Sequence, residues 1–242
     1  TGVLAGMVRQ IRGPDGRIQV VHNGAELSQK VGEAEANAIR RRFGIGSNDV
    51  VLGFAGFVRA WHGVEWAVDA LAGLPQNAHL LVVGNGPALP ALRARAIERG
   101  VAERVHFTGQ VPHAEIAAHM RAFDVALQPA AVAYASPMKL FEYMALERAI
   151  VAPDQPNIRE VLVNGYSALL FKPGNQASFT SAVTRLYQDS ILRRHVGGGA
   201  RRVVETTPFT WTSNANRIEA LARDLITTAA APAETSSAAV AR

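Results

Sequence analysis

From residue 50 to residue 171, short runs made almost wholly of Val, Leu, Ile, Ala and Phe alternate with segments of helical periodicity. The runs cover residues 50–57, 79–83, 105–108, 124–127, 149–152 and 167–171, with helices predicted over 64–71, 89–99, 114–121, from Ser136, and over 158–163. A strand that is apolar on both faces must be covered on both, which is the signature of a parallel sheet between two helical layers. The pattern therefore predicts an α/β fold: a Rossmann-like parallel sheet with helices on both faces. Its binding site belongs at the carboxyl ends of the strands.

Three strand ends carry suggestive residues. Gly56-Phe57-Val58-Arg59-Ala60-Trp61-His62-Gly63 places Arg59 and His62 in the loop before a helix. Gly84-Asn85-Gly86-Pro87 lacks side chains that would hold a ligand away from the backbone. Thr108-Gly109-Gln110-Val111-Pro112 ends the third strand. One strand later, Ser136 suits an N-cap and Pro137 a first helical position, which leaves the amides of Met138, Lys139 and Leu140 unpaired at a helix start. Such an end attracts phosphate. Lys139 adds a full charge, and Glu142 offers a carboxylate for a pair of sugar hydroxyls. The set suits a nucleotide diphosphate carrying ribose. The competing reading makes Lys139 and Glu142 an i, i+3 surface pair, with Leu140 and Met144 in the core.

Composition removes other classes. With 48% hydrophobic residues and no apolar run near the ~20 residues of a membrane span, the 242 residues read as a globular protein. Thr1 begins in mid-pattern with neither signal peptide nor initiator Met, so a processed piece or fragment is expected. The absence of Cys excludes disulfides and thiolate metal sites and fits a reducing, cytoplasmic setting. The net charge of +5 rests on Arg, with Lys only at positions 30, 139 and 172. Arg40-Arg41-Arg42, Arg193-Arg194 and Arg201-Arg202 lack the interleaved aromatics of a nucleic-acid platform. They read as solvated helix faces, with peripheral contact to an anionic membrane as the competing use.

The chemistry narrows similarly. Gly84-Asn85-Gly86 lacks the third glycine of a dinucleotide fingerprint. His106, His113 and His119 lie in different elements without metal-site spacing, and Asp124 sits at the wrong end of its strand for the cleft. On those grounds neither a metal nor a cofactor is expected, and no nucleophile elbow or acid/base pair is found.

Residues 1–24 read as the trailing edge of another domain: a short helix with Val3, Leu4, Met7, Val8 and Ile11, a turn at Gly13-Pro14-Asp15-Gly16, and a strand over 18–21 stopped by His22-Asn23-Gly24. Residues 25–205 form the binding domain, with a charged helix around 32–43 and an all-helical stretch from Ser178. Residues 206–228 form a last helix with Ile218, Leu221 and Leu225 inward, and residues 229–242 a disordered tail.

From His22 to Trp211 the chain resembles the C-terminal, donor-binding domain of a GT-B glycosyltransferase of the retaining group 1, or family 4. The landmarks, in order, are the Phe57–Gly63 loop, Val83-Gly84-Asn85-Gly86-Pro87, the Val105–Pro112 stretch, Ser136-Pro137-Met138-Lys139-Leu140-Phe141-Glu142-Tyr143-Met144-Ala145, and Pro156-Asn157-Ile158-Arg159-Glu160. The resemblance implies one half of a GT-B fold with a helical C-terminal extension, and a nucleotide diphosphate sugar, UDP- or GDP-linked, as donor for retaining transfer of a hexose to a glycan, lipid or small molecule. It puts Arg59 and His62, the latter where Lys is usual, on the diphosphate, and makes Arg59 and Lys139 the catalytic cations. Gly84, Asn85 and Val111 line the donor, Val111 near the base. Ser136, Pro137, Met138, Lys139 and Leu140 form the phosphate cradle, and Glu142 holds the ribose. Tyr134 stands where the family's motif has its first glutamate, which contacts the transferred sugar. The family also carries an N-terminal acceptor domain, whose last helix and strand equate with residues 1–21. A non-catalytic nucleotide-sugar binding or scaffolding domain and a GT-B sugar epimerase are the alternatives.

Overall fold

The structure, a computed structural model, describes residues 1–13, 17–27 and 31–230, with side chains through Thr227. Six strands form one sheet: β1 (Val50–Ala55), β2 (Ala78–Val83), β3 (Val105–Phe107), β4 (Val125–Leu127), β5 (Ala149–Pro153) and β6 (Leu169–Phe171). Every pairing is parallel, and the order is β3-β2-β1-β4-β5-β6. This is the order in which the chain reverses direction of travel between β1 and β4, opening a crevice outside their carboxyl ends.

Ten helices accompany the sheet among the described residues: α1 (Gly2–Arg12), α2 (Glu33–Arg42), α3 (Glu65–Ala72), α4 (Leu89–Glu98), α5 (His113–Arg121), α6 (Met138–Ala145), α7 (Pro156–Arg159), α8 (Gln176–Gln188), α9 (Ser190–Thr206) and α10 (Trp211–Ala230). Strand alternation splits the core in two. Leu52 and Phe54 of β1 face one layer with Val68 and Leu71 of α3, Leu92 of α4 and Phe179 and Val183 of α8. Val51 and Ala55 face the other, with Met120 of α5, Leu140 and Met144 of α6 and Val204 of α9. The predicted parallel sheet with helices on both faces is thus the observed one.

Several expectations fail for identifiable reasons. Residues 18–21 are not a strand, because no described segment offers them a ladder partner. The chain there runs beside the start of α10 instead: Asn214 Nδ2 donates to the His22 carbonyl (2.7 Å), and the Ala25 amide donates to the Phe209 carbonyl (2.9 Å). Ile218 and Leu225 of α10 are exposed, not inward, since no described element lies over them. The turn at Pro14, Asp15 and Gly16 lies outside the described residues, as does the tail beyond residue 230, whereas Ala229 and Ala230 continue the helix. The arginine clusters are not uniformly solvated. Arg40 reaches Asp124 (2.8 Å) and the Ala122 carbonyl (3.1 Å), and Arg193 Nη1 donates to the Leu186 and Tyr187 carbonyls, while Arg41, Arg42 and Arg194 are exposed.

Candidate functional site

A cleft of about 770 Å³ lies at the carboxyl ends of β1, β2 and β3, walled by the start of α6. Gly56, Phe57, Gly84, Asn85, Gln110, Val111, Met138, Lys139 and Glu142 line it. Six of the site residues singled out from sequence, Gly84, Asn85, Val111, Met138, Lys139 and Glu142, therefore meet in one concavity, although they lie up to 58 positions apart, from Gly84 to Glu142.

The cleft opens because β1 leaves β4 early. The two strands pair only at Leu52 with Val125 and Gly53 with Ala126. Beyond that point the Ala55 amide donates to the Tyr143 hydroxyl (2.9 Å), wholly buried, instead of to a strand. Tyr143 thus ties α6 to β1 and satisfies an amide that would otherwise be unpaired at the crevice. Sequence reading treated it as part of a motif and gave it no role.

The glycines of Gly84-Asn85-Gly86 have a packing purpose that the sequence did not reveal. Gly84 (φ +123°) and Gly86 (φ +157°) hold backbone that side chains rarely adopt, and a β-carbon at either would overlap the backbone of Gly56 or Val58. The Val58 amide donates to the Asn85 carbonyl (2.8 Å), and the Ala88 amide to the Val58 carbonyl (3.2 Å). The missing side chains therefore let the two loops close on each other and fix the cleft floor. Both Gly84, half-buried, and Asn85, exposed, line its wall.

In the loop after β1, the Arg59 amide donates to His62 Nδ1 (3.2 Å), so that nitrogen carries no proton. The His62 ring packs on Trp61 (3.8 Å between centroids) and Phe54 (5.2 Å). Burial, with Lys139 and Arg59 adding repulsion, lowers its pKa to about 4. His62 is accordingly a neutral imidazole at physiological pH, with Nε2–H its one donor. Arg59 is exposed, its guanidinium over the ring of cleft-lining Phe57 at 5.0 Å, and neither it nor His62 is itself among the cleft-lining residues.

The start of α6 departs from expectation by one residue. Pro137 takes the N-cap position with extended backbone and no side-chain cap, and the Ser136 hydroxyl is buried without a partner. The Leu140 amide donates to the Pro137 carbonyl (3.1 Å), so it is not free to cradle a phosphate, and its side chain is core. Met138 and Lys139 supply the remaining first-turn amides. The loop before α6 is held from outside: Asn23 Nδ2 donates to the Ser136 carbonyl (2.7 Å), and Asn157 Nδ2 to the Ala135 carbonyl (2.8 Å). Both asparagines were legible only as landmarks. Tyr134, half-exposed in that loop, is not among the cleft-lining residues, and its carbonyl accepts from the Thr1 hydroxyl (3.2 Å).

Lys139 places its ammonium 3.8 Å from the centroid of the Phe54 ring. Burial lowers it to about 7, opposed by the negative charge of Glu142. Burial also raises the Glu142 carboxyl, opposed by His113 and then Lys139. Glu142 separates the main cleft from a second cavity of about 310 Å³ bounded by Gly24, Glu26, His113, Met120 and Trp211, which the sequence did not reveal.

The remaining candidates are structural. Asp124 accepts from Arg40 and from the Val51 amide (2.7 Å). His119 Nδ1 bonds the Glu115 carbonyl (2.9 Å), and His106 stacks on His79.

The architecture defines a class: a Rossmann-like domain, one half of a GT-B fold, with its cleft at the point where strand order reverses. Residues 49–189, more than half of the chain, match the family model for glycosyl transferases group 1, and the chain belongs to that family. It is 26% identical over 204 residues to an uncharacterized glycosyltransferase of Methanocaldococcus jannaschii, covering 81% of this chain and 50% of that one. It is 34% identical over 145 residues to the phosphatidyl-myo-inositol mannosyltransferase of Mycobacterium leprae, covering 58% and 38% respectively. Among solved structures it resembles the sucrose-phosphate synthase of Thermosynechococcus elongatus (TM-score 0.80, 22% identity, covering 94% of this chain and 57% of that one). It also resembles Anabaena HepE in complex with UDP and glucose (TM-score 0.78, 21% identity, covering 91% and 61%). The chain spans about half the length, or less, of the curated relatives it matches.

Proposed function

We propose that this chain is the donor-binding half of a glycosyltransferase that takes a hexose from a UDP- or GDP-linked sugar and transfers it, with retention, to a glycan, lipid or small-molecule acceptor. The observation that carries the reading is the convergence of Lys139, Glu142, Gly84, Asn85 and Val111 on one cleft at the switch point. In this reading the diphosphate lies against the first turn of α6, with Lys139 beneath it and Arg59 reaching in from the rim. Two cations placed where charge accumulates on a departing diphosphate stabilise the transition state without a proton donor or a metal. Neutral His62 adds an Nε2–H donor, Val111 and its neighbours meet the base, and Glu142 accepts the ribose hydroxyls. Ser136 and Pro137 shape the entry to that turn.

Relatives support the donor class: HepE is described with UDP and with UDP-glucose, and a Mycolicibacterium smegmatis relative is named GDP-mannose-dependent. Residues 1–21 belong, in this reading, to an acceptor domain. No described helix is long and apolar enough to cross a membrane, and a cytoplasmic, membrane-peripheral location suits the reading. A second reading, a non-catalytic nucleotide-sugar binding module, draws on Tyr134 in place of a carboxylate.

Thermal-shift measurements with UDP, GDP, ADP and their sugars test the proposal. At least one uridine or guanosine nucleotide should stabilise the chain, and Glu142→Ala, folded by circular dichroism, should lose at least about tenfold in affinity, or about 1.4 kcal/mol. An undiminished shift in that variant rejects the ribose role. Tight nucleotide binding with no turnover by a protein that includes the acceptor half, across a broad panel, favours the second reading.

A further inference from the structure

Lys139 occupies an uncommon setting for a cation that receives a phosphate. Its ammonium sits over the Phe54 ring face and beside Gly56, where a β-carbon would stand 3.2 Å from Nζ. Ring face and glycine backbone take the place of water. Among the described residues Lys139 enters no ion pair, those present being made by arginine and histidine. The groups around it are Glu142 almost one turn along α6, His62 and Arg59 from the loop after β1, and, through Glu142, His113 at the start of α5. Of these only Glu142 favours the charged amine, and burial outweighs it.

We propose that a nucleoside diphosphate entering this cleft draws a proton onto Lys139, so that donor binding and proton uptake are one coupled step. The inference rests on the nucleotide-binding role proposed for the cleft. The diphosphate brings negative charge to the mouth of the amine's pocket and supplies the oxygen acceptors it lacks, which favours the charged form. A buffer acid gives up its proton, and the lone pair of the neutral amine takes it. The free site, with Lys139 near 7, is about half charged at neutral pH. Above that range affinity should therefore fall about tenfold per pH unit. The cleft would then favour donor in neutral surroundings and release nucleotide as pH rises.

Calorimetric titration of this chain with UDP and GDP, in several buffers of different ionisation enthalpy, measures the uptake directly. At about pH 8 the terminal phosphate of either nucleotide is already fully ionised, its second pKa being about 6. The expected uptake there is about 0.9 proton per nucleotide, from a free lysine near 7 that is fully charged in the complex. Lys139→Arg, whose guanidinium stays charged throughout, should bind nucleotide with no uptake. A binding heat that does not depend on the buffer overturns the proposal, as does uptake that persists in Lys139→Arg. Failure of both nucleotides to bind overturns the reading beneath it.

Discussion

Asp49, His79 and His106 form a string at the end of the sheet opposite the cleft. Asp49 Oδ2 accepts from His79 Nε2 (3.3 Å), leaving His79 Nδ1 to accept from His106 Nε2 (3.1 Å), with the rings stacked at 5.3 Å. The bond between the rings needs one of the two facing nitrogens unprotonated, so the two imidazoles cannot both be charged while it holds. Burial lowers both pKa values: His79 in spite of Asp49, and His106 to about 4 with His79 adding to the effect. The unfolded chain, with histidines near 6.5, binds more protons below that pH than the folded one. Stability from this string is therefore complete above about pH 6.5 and lost progressively toward pH 4. Denaturant unfolding at pH 7 and pH 5 checks it. His106→Gln should flatten the decline, and an unchanged pH dependence in that variant would reject the string as its source. The sequence reading gave His106 a core or capping role and said nothing of His79. It could not show that His79 meets His106, because that depends on β2 and β3 pairing with Leu81 beside His106.

At the scale of elements, α1 is fastened by one residue far along the chain. The Glu160 carboxylate, just past α7, accepts from the Gly2 amide (2.8 Å) and the Val3 amide (3.3 Å) and pairs with His22 (3.3 Å). A carboxylate at a helix N-terminus satisfies unpaired amides and complements the dipole. Glu160→Ala should speed amide exchange across α1 about fivefold to tenfold, equivalent to about 1 kcal/mol of capping. Protection in β1 and β2 should stay as it was. Unchanged exchange in α1 would mean that its docking does not depend on this cap. The periodicity of Val3, Leu4, Met7, Val8 and Ile11 announced a helix in residues 1–17, and Glu160 was visible only as a landmark. Their meeting was not legible, since nothing local links positions 158 residues apart.

For the whole molecule, two helices carry exposed apolar residues. Leu4, Met7 and Ile11 (85% exposed) stand on α1, and Ile218, Leu225 and Ile226 (69% exposed) on α10. Patches of this kind mark contact surfaces, and on the proposed function the acceptor half lies against them. On the proposed function these 242 residues by themselves should bind nucleotide without transferring sugar, because a GT-B cleft is closed by an acceptor half that is not among them, and the orienting effect of a closed site goes with it. A coupled assay of nucleotide release, run on this chain and on one that includes the acceptor half, decides the matter. Equal turnover by the two would show that the described cleft is sufficient.

What residue order determined by itself was the layering: unbroken apolar runs can only be strands covered twice, and glycine, proline and polar residues at their ends mark where a ligand would be met. Local composition also placed Lys139 and Glu142 on one helix start. Tertiary structure decided what those residues are in each other's company. Burial over Phe54 lowers Lys139, a contact to the Arg59 amide fixes His62 as neutral, and Gly84 and Gly86 let two loops close on each other. Charge state and packing arise from solvent exclusion and from neighbours distant in the chain, and neither is a property of a residue's place in the sequence.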